Sequence, residues 1–387
     1  MKGNTKAVAL SMAAIFALSI LALGVMAYTE PTGNLVMTSS PQLLIKTSGY
    51  ARIYDWVSGQ FSHTWSGTSG DNWGVSVGAI GDVDNDGTKE VVTFGTYTSG
   101  KGKNVVSTRN IKIWNNGDAS GSPSLSFDPG FAPGFMKIGD VNGDSKNELV
   151  MLDGASTLHV WSCDGSGCTE KDKLASTGSG GLNIGDSDND GTNEILVGES
   201  DNYNCHAVVI KYANNDYSIV ADLGPANTLC CVSDPSVGDL DGTAGNEIFG
   251  SGYCSGNMYV WQYSNGAYNQ VWTTQRGQSC FHMDSQIADV NGDGSNDFAF
   301  TEYCPGVKRN PDTKDLVVYK YSGNNVWAKL GNYNGAQGNL MDTMYAADLD
   351  SDSKAEVVVQ NTVWDWDGSV MKNIQTIDSP VADTSMA

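Results

Sequence analysis

The sequence predicts an all-β protein built as a seven-bladed β-propeller, and three observations lead to this prediction. An acidic loop motif recurs six times, with 46–59 residues between the first aspartates of successive copies, and this period fits one four-stranded blade. β-branched or leucine-rich residues follow the loops, and strands with aromatic ends recur further along,. The chain has 46 glycines and 10 prolines, as expected for short strands joined by tight turns.

The N-terminal segment predicts export. Lys2 and Lys6 precede an uncharged apolar run over 7–27, and small residues before Tyr28 suit cleavage by a signal peptidase. The run is also long enough to span a bilayer as an uncleaved anchor helix. We therefore predict a signal peptide or anchor at 1–27, a linker at 28–40 and the propeller at 41–387, in an extracellular or cell-surface location.

The balance of charge limits the partners. The net charge of −22 excludes nucleic acid, because the chain could not neutralise phosphates. Contact with a membrane is expected only through the N-terminal segment, if that segment is not cleaved. The eight cysteines of an exported chain predict disulfides rather than free thiols.

The number of blades follows from the repeats. The six copies are GDVDNDGTKEVV, GDVNGDSKNELV, GDSDNDGTNEIL, GDLDGTAGNEIF, ADVNGDGSNDFA and ADLDSDSKAEVV. The aromatic strand occurs once more at 52–56, before the first copy and after a strand-like segment at 42–46. We predict that these residues form a seventh blade without its innermost strand. Residues 382–387 resemble the starts of other blades and are predicted to supply that strand, so that both termini close the ring.

The motif D-x-[DN]-x-D-G-x-x-[ED] predicts a calcium loop. Positions 1, 3 and 5 carry side-chain oxygens, position 7 offers a backbone carbonyl, and position 9 carries an acid. Hard oxygen ligands at this density favour Ca²⁺, whereas zinc and copper are not expected because the loops lack Cys and His. An EF-hand is excluded because its loop ends on a glutamate at position 12 between helices. The alternative is an acidic hairpin turn without metal.

The predicted ligands follow the motif in all six loops, and about six structural Ca²⁺ ions are expected. The side-chain ligands are Asp82, Asp84, Asp86 and Glu90; Asp140, Asn142, Asp144 and Glu148; Asp186, Asp188, Asp190 and Glu194; Asp239, Asp241, Thr243 and Glu247; Asp289, Asn291, Asp293 and Asp297; and Asp348, Asp350, Asp352 and Glu356. The carbonyl ligands are those of Thr88, Lys146, Thr192, Gly245, Ser295 and Lys354. The fourth loop departs from the pattern at Thr243, and the fifth ends on a shorter acid.

The segment from Trp73 to Val77 together with GDVDNDG resembles the FG-GAP motif of integrin-α-like propellers, and the other loops resemble VCBS repeats. The resemblance covers 41–387. It implies a seven-bladed propeller with calcium in the hairpin between the first two strands of a blade, on the lower face. It also implies that ligands meet the opposite, upper face.

The leading functional prediction is an adhesion or ligand-binding module for an extracellular protein or glycan, and not an enzyme. An enzyme is not expected because the four histidines of the chain have no recognisable catalytic spacing; they are His63, His159, His206 and His282. No G-x-S-x-G or H-E-x-x-H motif occurs either,. Two alternatives remain open. One is a secreted polysaccharide lyase or hydrolase that uses paired carboxylates. The other is a cell-envelope or filament subunit anchored by the N-terminal segment.

The repeat alignment also predicts disulfides and a ligand face. Cys230 and Cys254 have the same offsets from their loop as Cys280 and Cys304, which predicts the pairs Cys230–Cys254 and Cys280–Cys304. Cys163 and Cys168 flank a tight turn and are predicted to pair with each other. The two remaining cysteines predict the pair Cys205–Cys231, and the alternative is that Cys230 and Cys231 exchange partners. The predicted ligand residues are acids and aromatics near the starts of inner strands and the ends of second strands. They are Asp234, Tyr253, His282, Asp284, Tyr303 and Asp342.

Overall fold

The structure is a computed structural model of the 387-residue chain. It describes residues 35–37, 42–47, 50–68, 73–99, 106–115, 123–175, 177–178, 180–198, 207–224, 232–243, 245–252, 257–275, 281–304, 313–323, 327–334, 344–359 and 362–377. These ranges contain seven four-stranded antiparallel sheets and no helix. The prediction of an all-β, seven-bladed propeller is therefore confirmed.

The strands follow the chain blade by blade, each sheet being antiparallel throughout. Blade 1 comprises β1 (Leu35–Met37), β2 (Gln42–Thr47), β3 (Tyr50–Val57) and β4 (Gln60–Thr68); blade 2, β5 (Trp73–Gly81), β6 (Glu90–Ser99), β7 (Val106–Asn115) and β8 (Leu125–Phe127); blade 3, β9 (Pro133–Gly139), β10 (Glu148–Asp153), β11 (Thr157–Asp164) and β12 (Gly167–Ala175); blade 4, β13 (Gly181–Gly185), β14 (Glu194–Gly198), β15 (Ala207–Ala213) and β16 (Asp216–Asp222). Blade 5 comprises β17 (Val232–Gly238), β18 (Glu247–Gly252), β19 (Asn257–Ser264) and β20 (Ala267–Gln275); blade 6, β21 (Phe281–Ala288), β22 (Asp297–Cys304), β23 (Thr313–Tyr321) and β24 (Trp327–Asn334); blade 7, β25 (Met344–Ala347), β26 (Glu356–Val359), β27 (Thr362–Trp366) and β28 (Met371–Thr376).

Burial decreases from the second strand of a blade to the fourth. β14, for example, is buried along its whole length, whereas most residues of β16 are exposed. A second strand has neighbouring blades on both faces, and this explains its unbroken run of apolar residues. The first strands of successive blades contact one another around the ring. The apolar cores therefore lie between blades, as in the clusters shared by blades 2 and 3 and by blades 5 and 6.

The aromatic residues of the third strands pack in these cores, as predicted. Trp114 is fully buried, and Trp261 is buried in a cluster shared by blades 4 and 5. At this aromatic residue the pairing of third and fourth strands shifts register, for example between Val160 and Trp161 and between Val260 and Trp261. Such a bulge bends a strand and increases its local twist.

The first and last blades contact each other directly. The side-chain amide of Gln375 donates to the carbonyl of Phe61 at 2.9 Å, and its oxygen accepts the Phe61 N–H at 2.7 Å. Phe61 also shares an apolar cluster with Leu349 and Val363. These contacts join two segments more than 300 residues apart in the sequence.

The innermost strand of blade 1 differs from the sequence prediction. That position is taken by β1, which lies within the predicted linker and pairs with β2 through Val36 and Leu44. The first blade therefore takes all four of its described strands from the N-terminal part of the chain. The predicted strand at 382–387 lies outside the described residues, as does the predicted signal or anchor segment. Within the described ranges, no helix has the length and hydropathy needed to cross a bilayer.

Candidate metal centres

Each of the six acidic loops connects the first and second strands of its blade, as predicted. We number the loop positions from 1 to 9, so that the first loop runs from Asp82 to Glu90. Position 4 has a positive φ in every loop: Asn85, Gly143, Asn189, Gly242, Gly292 and Ser351. Position 6 also has a positive φ in the five loops where it is described: Gly87, Ser145, Gly191, Gly294 and Ser353. The described positions 4 and 6 of the loops therefore share the same left-handed backbone conformation.

The acid at position 9 is buried in every loop, with 0–3% of its surface exposed. One oxygen accepts the backbone N–H of position 2 at 2.7–3.1 Å in all six loops. The donors and acceptors are Val83 and Glu90, Val141 and Glu148, Ser187 and Glu194, Leu240 and Glu247, Val290 and Asp297, and Leu349 and Glu356. Asp297 makes this contact despite its shorter side chain. The ninth acid therefore closes the loop and still has a second oxygen to offer.

The aspartates at positions 1 and 5 are oriented by loop amides. Asp82 accepts the Gly87 N–H at 3.0 Å, and Asp86 accepts the Thr88 N–H at 2.8 Å. Equivalent bonds reach Asp140 and Asp144 in the second loop at 2.8 and 2.9 Å. These bonds hold the carboxylates on one side of the turn before any ion binds, which reduces the conformational entropy that binding would cost.

Three acids lie close enough to share an ion in four loops, with ligand atoms within 4.8 Å of one another. The groups are Asp82, Asp84 and Asp86; Asp186, Asp188 and Glu194; Asp239, Asp241 and Glu247; and Asp348, Asp350 and Glu356. In the other two loops position 3 is an asparagine. Asn142 and Asn291 donate from Nδ2 to the ninth acid at 2.8 and 3.0 Å, so each amide must turn its oxygen inward to bind a cation.

Burial and neighbouring acids disfavour negative charge in these loops. Burial, reinforced by nearby aspartates, raises the pKa of the ninth-position acid to about 7 in five loops: Glu90, Glu148, Glu247, Asp297 and Glu356. Two carboxyl oxygens, Asp82 Oδ1 and Glu356 Oε1, are buried without a hydrogen-bond partner among the described residues. Such oxygens are costly unless a cation is nearby. The first and sixth loops therefore fit a hard divalent ion, and several of the clusters could hold one.

The third loop differs because a lysine of the neighbouring strand contacts three of its acids, whereas Lys354 of the sixth loop contacts only Asp352. Lys211, on β15, places Nζ 2.5 Å from Asp188 Oδ2, 2.8 Å from Asp190 Oδ2 and 2.9 Å from Glu194 Oε1. The corresponding third-strand residue, opposite the ninth acid, is Asn115, Ser162, Gln262, Lys320 or Asp365 in the other loops. Lys320 makes only one contact, 3.5 Å from Asp293. The motif does not include this position, so the sequence analysis missed it.

Asparagines at position 8 link successive loops around the ring. The amide of Asn147 donates to the carbonyl of Asp82 in the preceding loop at 2.8 Å, and Asn193 donates to Asp140 at the same distance. Asn246 and Asn296 make equivalent bonds to Asp186 and Asp239 at 2.5 and 2.7 Å. At the sixth loop the backbone N–H of Ala355 replaces the side chain and donates to Asp289 at 2.7 Å. The repeated Asn-Glu or Asn-Asp pair in the sequence was the signal for this link.

The predicted ligand face lies at the strand ends opposite the loops. Phe281 pairs with Tyr303 and His282 with Glu302, which places Tyr303, His282 and Asp284 at that end of blade 6. Asp284, however, is 5% exposed and accepts backbone N–H groups from Ser285 and, in the next blade, Met344. It therefore braces two blades and is not an exposed ligand group. Asp234 lies on β17, while Tyr253 and Asp342 lie outside the described residues.

One of the four predicted disulfides falls wholly within the described residues, and it is confirmed. Cys163 and Cys168 are bonded and pair directly in the hairpin of β11 and β12. Cys304, at the end of β22, is also disulfide-bonded. The cysteines at 205, 230, 231, 254 and 280 lie outside the described residues, so the other three pairs stay predictions.

Comparison with known proteins gives a fold but no family. No family model and no curated protein matches the chain. Solved structures that are similar include a protein from Lactobacillus plantarum, at 13% identity and TM-score 0.57, covering 90% of this chain and 96% of that one. A putative 6-phosphogluconolactonase from Bacteroides fragilis has 12% identity and TM-score 0.53, covering 90% and 95%. A functionally unknown protein from Desulfotomaculum acetoxidans has 12% identity and TM-score 0.51, covering 78% and 84%. These likenesses establish the fold alone.

Proposed function

We propose that this chain is an extracellular or cell-surface propeller of the FG-GAP/VCBS type that binds Ca²⁺ in its blade hairpins and uses the opposite face to bind a protein or glycan. The observation that carries the metal part is the shared loop geometry. Six loops bury the ninth acid, tie one of its oxygens to position 2, and hold further side-chain oxygens beside it. A set of oxygen ligands without Cys or His favours Ca²⁺ over transition metals.

The role of the ions is structural. The loops lie at the junction of the first and second strands, and position-8 asparagines link one loop to the next. A cation that relieves the repulsion between the acids stabilises both the hairpin and its neighbour. Because an ion bound only to the folded state stabilises it by mass action, each site contributes about 2.7 kcal/mol at a calcium concentration 100 times its Kd.

Thermal unfolding in calcium and in excess chelator tests this role, with the full chain and its Asp82→Asn variant. Wild type should unfold at a markedly lower temperature in chelator. The variant should bind one ion fewer and be less stable than wild type in calcium, and this deficit should disappear in chelator. Asp222→Asn, at the opposite end of blade 4, is the charge-matched control. A wild-type melting curve unchanged by chelator would refute structural calcium.

Ligand binding on the upper face is supported by the position of Tyr303 and by the resemblance to integrin-α-like repeats. Binding of the labelled full chain to glycan arrays and extracellular matrix proteins would identify the ligand class. Tyr303→Ala should weaken that binding, whereas Tyr321→Ala, at the calcium end of the same blade, should not. Turnover of a polysaccharide in the same screen would instead favour the lyase or hydrolase alternative. Localisation of the protein on whole cells would separate a secreted protein from an envelope subunit.

A further inference from the structure

The third loop contains the same four acids as the sixth, but its lysine contacts more of them, because Lys354 of the sixth loop contacts only Asp352 among these acids. The Lys211 ammonium contacts one oxygen each of Asp188, Asp190 and Glu194 within 2.5–2.9 Å. An ammonium has three N–H donors, and these three contacts use them all. Ca²⁺ would need the same oxygens at about 2.3–2.6 Å, so the ammonium and the metal cannot occupy this position together.

The remaining oxygen of Glu194 is also satisfied without metal. Glu194 Oε2 accepts the Ser187 N–H and the Ser187 hydroxyl, both at 2.8 Å. The Ser187 hydroxyl also lies 2.7 Å from the Tyr268 hydroxyl of blade 5. Position 2 is valine or leucine in the other five loops, so this serine is particular to the third loop. The buried Glu356 of the sixth loop, in contrast, has Oε1 without a partner among the described residues.

The Lys211 side chain is mostly buried within the third loop. It is 18% exposed, and Glu194 beneath it is fully buried. Lys320 stands at the equivalent position of the fifth loop, but its side chain is 43% exposed and 3.5 Å from its one acidic contact there. The two lysines share a register position, and only Lys211 reaches the centre of the acids.

We propose that Lys211 serves as the built-in cation of the third loop, so that this loop stays closed without calcium while the other acidic loops depend on the ion. This proposal rests on the proposed function, because it divides the loops of a calcium-binding propeller into one lysine-filled loop and metal-filled ones. It also predicts that the chain binds fewer ions than it has acidic loops.

The test counts ions on the full chain after equilibrium dialysis against calcium, by native mass spectrometry. Lys211→Asn introduces the residue that faces Glu90 in the first loop, and this variant should bind one calcium ion more than wild type. Lys372→Asn removes the same charge from an exposed pair with Asp367 and should leave the count unchanged. In excess chelator, Lys211→Asn should unfold at a lower temperature than wild type, whereas Lys372→Asn should not.

A reciprocal variant keeps the proposal testable if Lys211→Asn does not fold. Asp365→Lys places a lysine opposite Glu356 in the sixth loop and should lower the count by one ion. Equal counts in wild type, Lys211→Asn and Asp365→Lys, with calcium bound, would overturn the role of Lys211 but leave the proposed function standing. Absence of bound calcium in every variant would overturn the proposed function itself.

Discussion

The third and sixth loops carry the same acids at positions 1, 3, 5 and 9, but they differ in the charge that faces those acids across the sheet. The third strand places Lys211 beside Glu194 in blade 4 and Asp365 beside Glu356 in blade 7. Lys211 contacts three acids of the third loop, whereas Asp365 adds a negative charge to the sixth loop, whose own Lys354 contacts only Asp352 and lies 3.7 Å from Asp365. A nine-residue motif therefore does not by itself determine whether a loop needs a metal ion, because the neighbouring strand also places charged groups beside the acids.

The largest expected difference between the two loops is their response to chelator. We expect backbone amides of the sixth loop, such as those of Ser353 and Lys354, to lose protection from hydrogen exchange when calcium is removed. Amides of Gly191 and Thr192 in the third loop should keep theirs, since Lys211 still holds the acids. Hydrogen exchange measured by mass spectrometry with and without calcium checks this. Equal loss of protection in both loops would remove the distinction between them.

Asp365 should raise the calcium affinity of the sixth loop. Its Oδ1 is buried without a hydrogen-bond partner among the described residues and lies 3.7 Å from Lys354 Nζ. Removing one charge from a partly buried site costs a bound cation about 1–4 kcal/mol, so Asp365→Ala should weaken calcium binding there about tenfold or more. The readout is the calcium concentration that protects the amides of Ser353 and Lys354. Asp222→Ala, remote from the loops, should not change it.

A smaller difference between the third and sixth loops is expected from the hydrogen bond that joins each loop to the preceding blade. The third loop uses the Asn193 side chain to reach Asp140, whereas the sixth uses the Ala355 backbone to reach Asp289. Asn193→Ala leaves a half-buried carbonyl without its donor and should lower the free energy of unfolding by about 1–2 kcal/mol. Denaturant unfolding in saturating calcium measures this. Asn269→Ala, whose bonds are local and exposed, should change stability much less.

The smallest expected effect concerns position 6, which has a positive φ in both loops. Gly191 occupies it in the third loop, with φ +90°, and Ser353 in the sixth, with φ 72°. A left-handed conformation costs a residue with a side chain about 1–2 kcal/mol relative to glycine. Replacing such a residue with glycine removes this cost, but the greater flexibility of glycine in the unfolded chain offsets part of the gain in stability. Ser353→Gly should therefore raise stability by roughly 0.5 kcal/mol, and Gly191→Ser should lower it; denaturant unfolding of both variants checks the signs.

Much of the fold followed from local patterns. The period of the acidic loops and the recurring aromatic strands predicted seven four-stranded blades, and the structure has them. The extra aromatic strand at 52–56 correctly indicated a blade before the first loop. The strand at Leu35–Met37 was not predicted, because three residues within a predicted linker carry no periodic signal, and only pairing with β2 defines them as a strand.

The ligand face shows where local patterns mislead. Asp284, beside a serine at the start of an inner strand, resembles an exposed polar residue in the sequence. In the fold, the seventh blade covers it, and the backbone of Met344 donates to its carboxylate. Sequence position shows at which end of the strand a residue lies, but contact with the next blade decides whether it reaches solvent.

The sequence by itself determined the repeat, the number of blades and the acids of each loop, because these features depend on residue types and their spacing along the chain. Tertiary structure alone decided which residue faces those acids across the sheet and which asparagine reaches the preceding loop. Lys211 is 17 residues from Glu194, and Asn193 is 53 residues from Asp140. Electrostatic interactions depend on distance in space, so the balance of charge in each loop was settled only when the strands and blades came together.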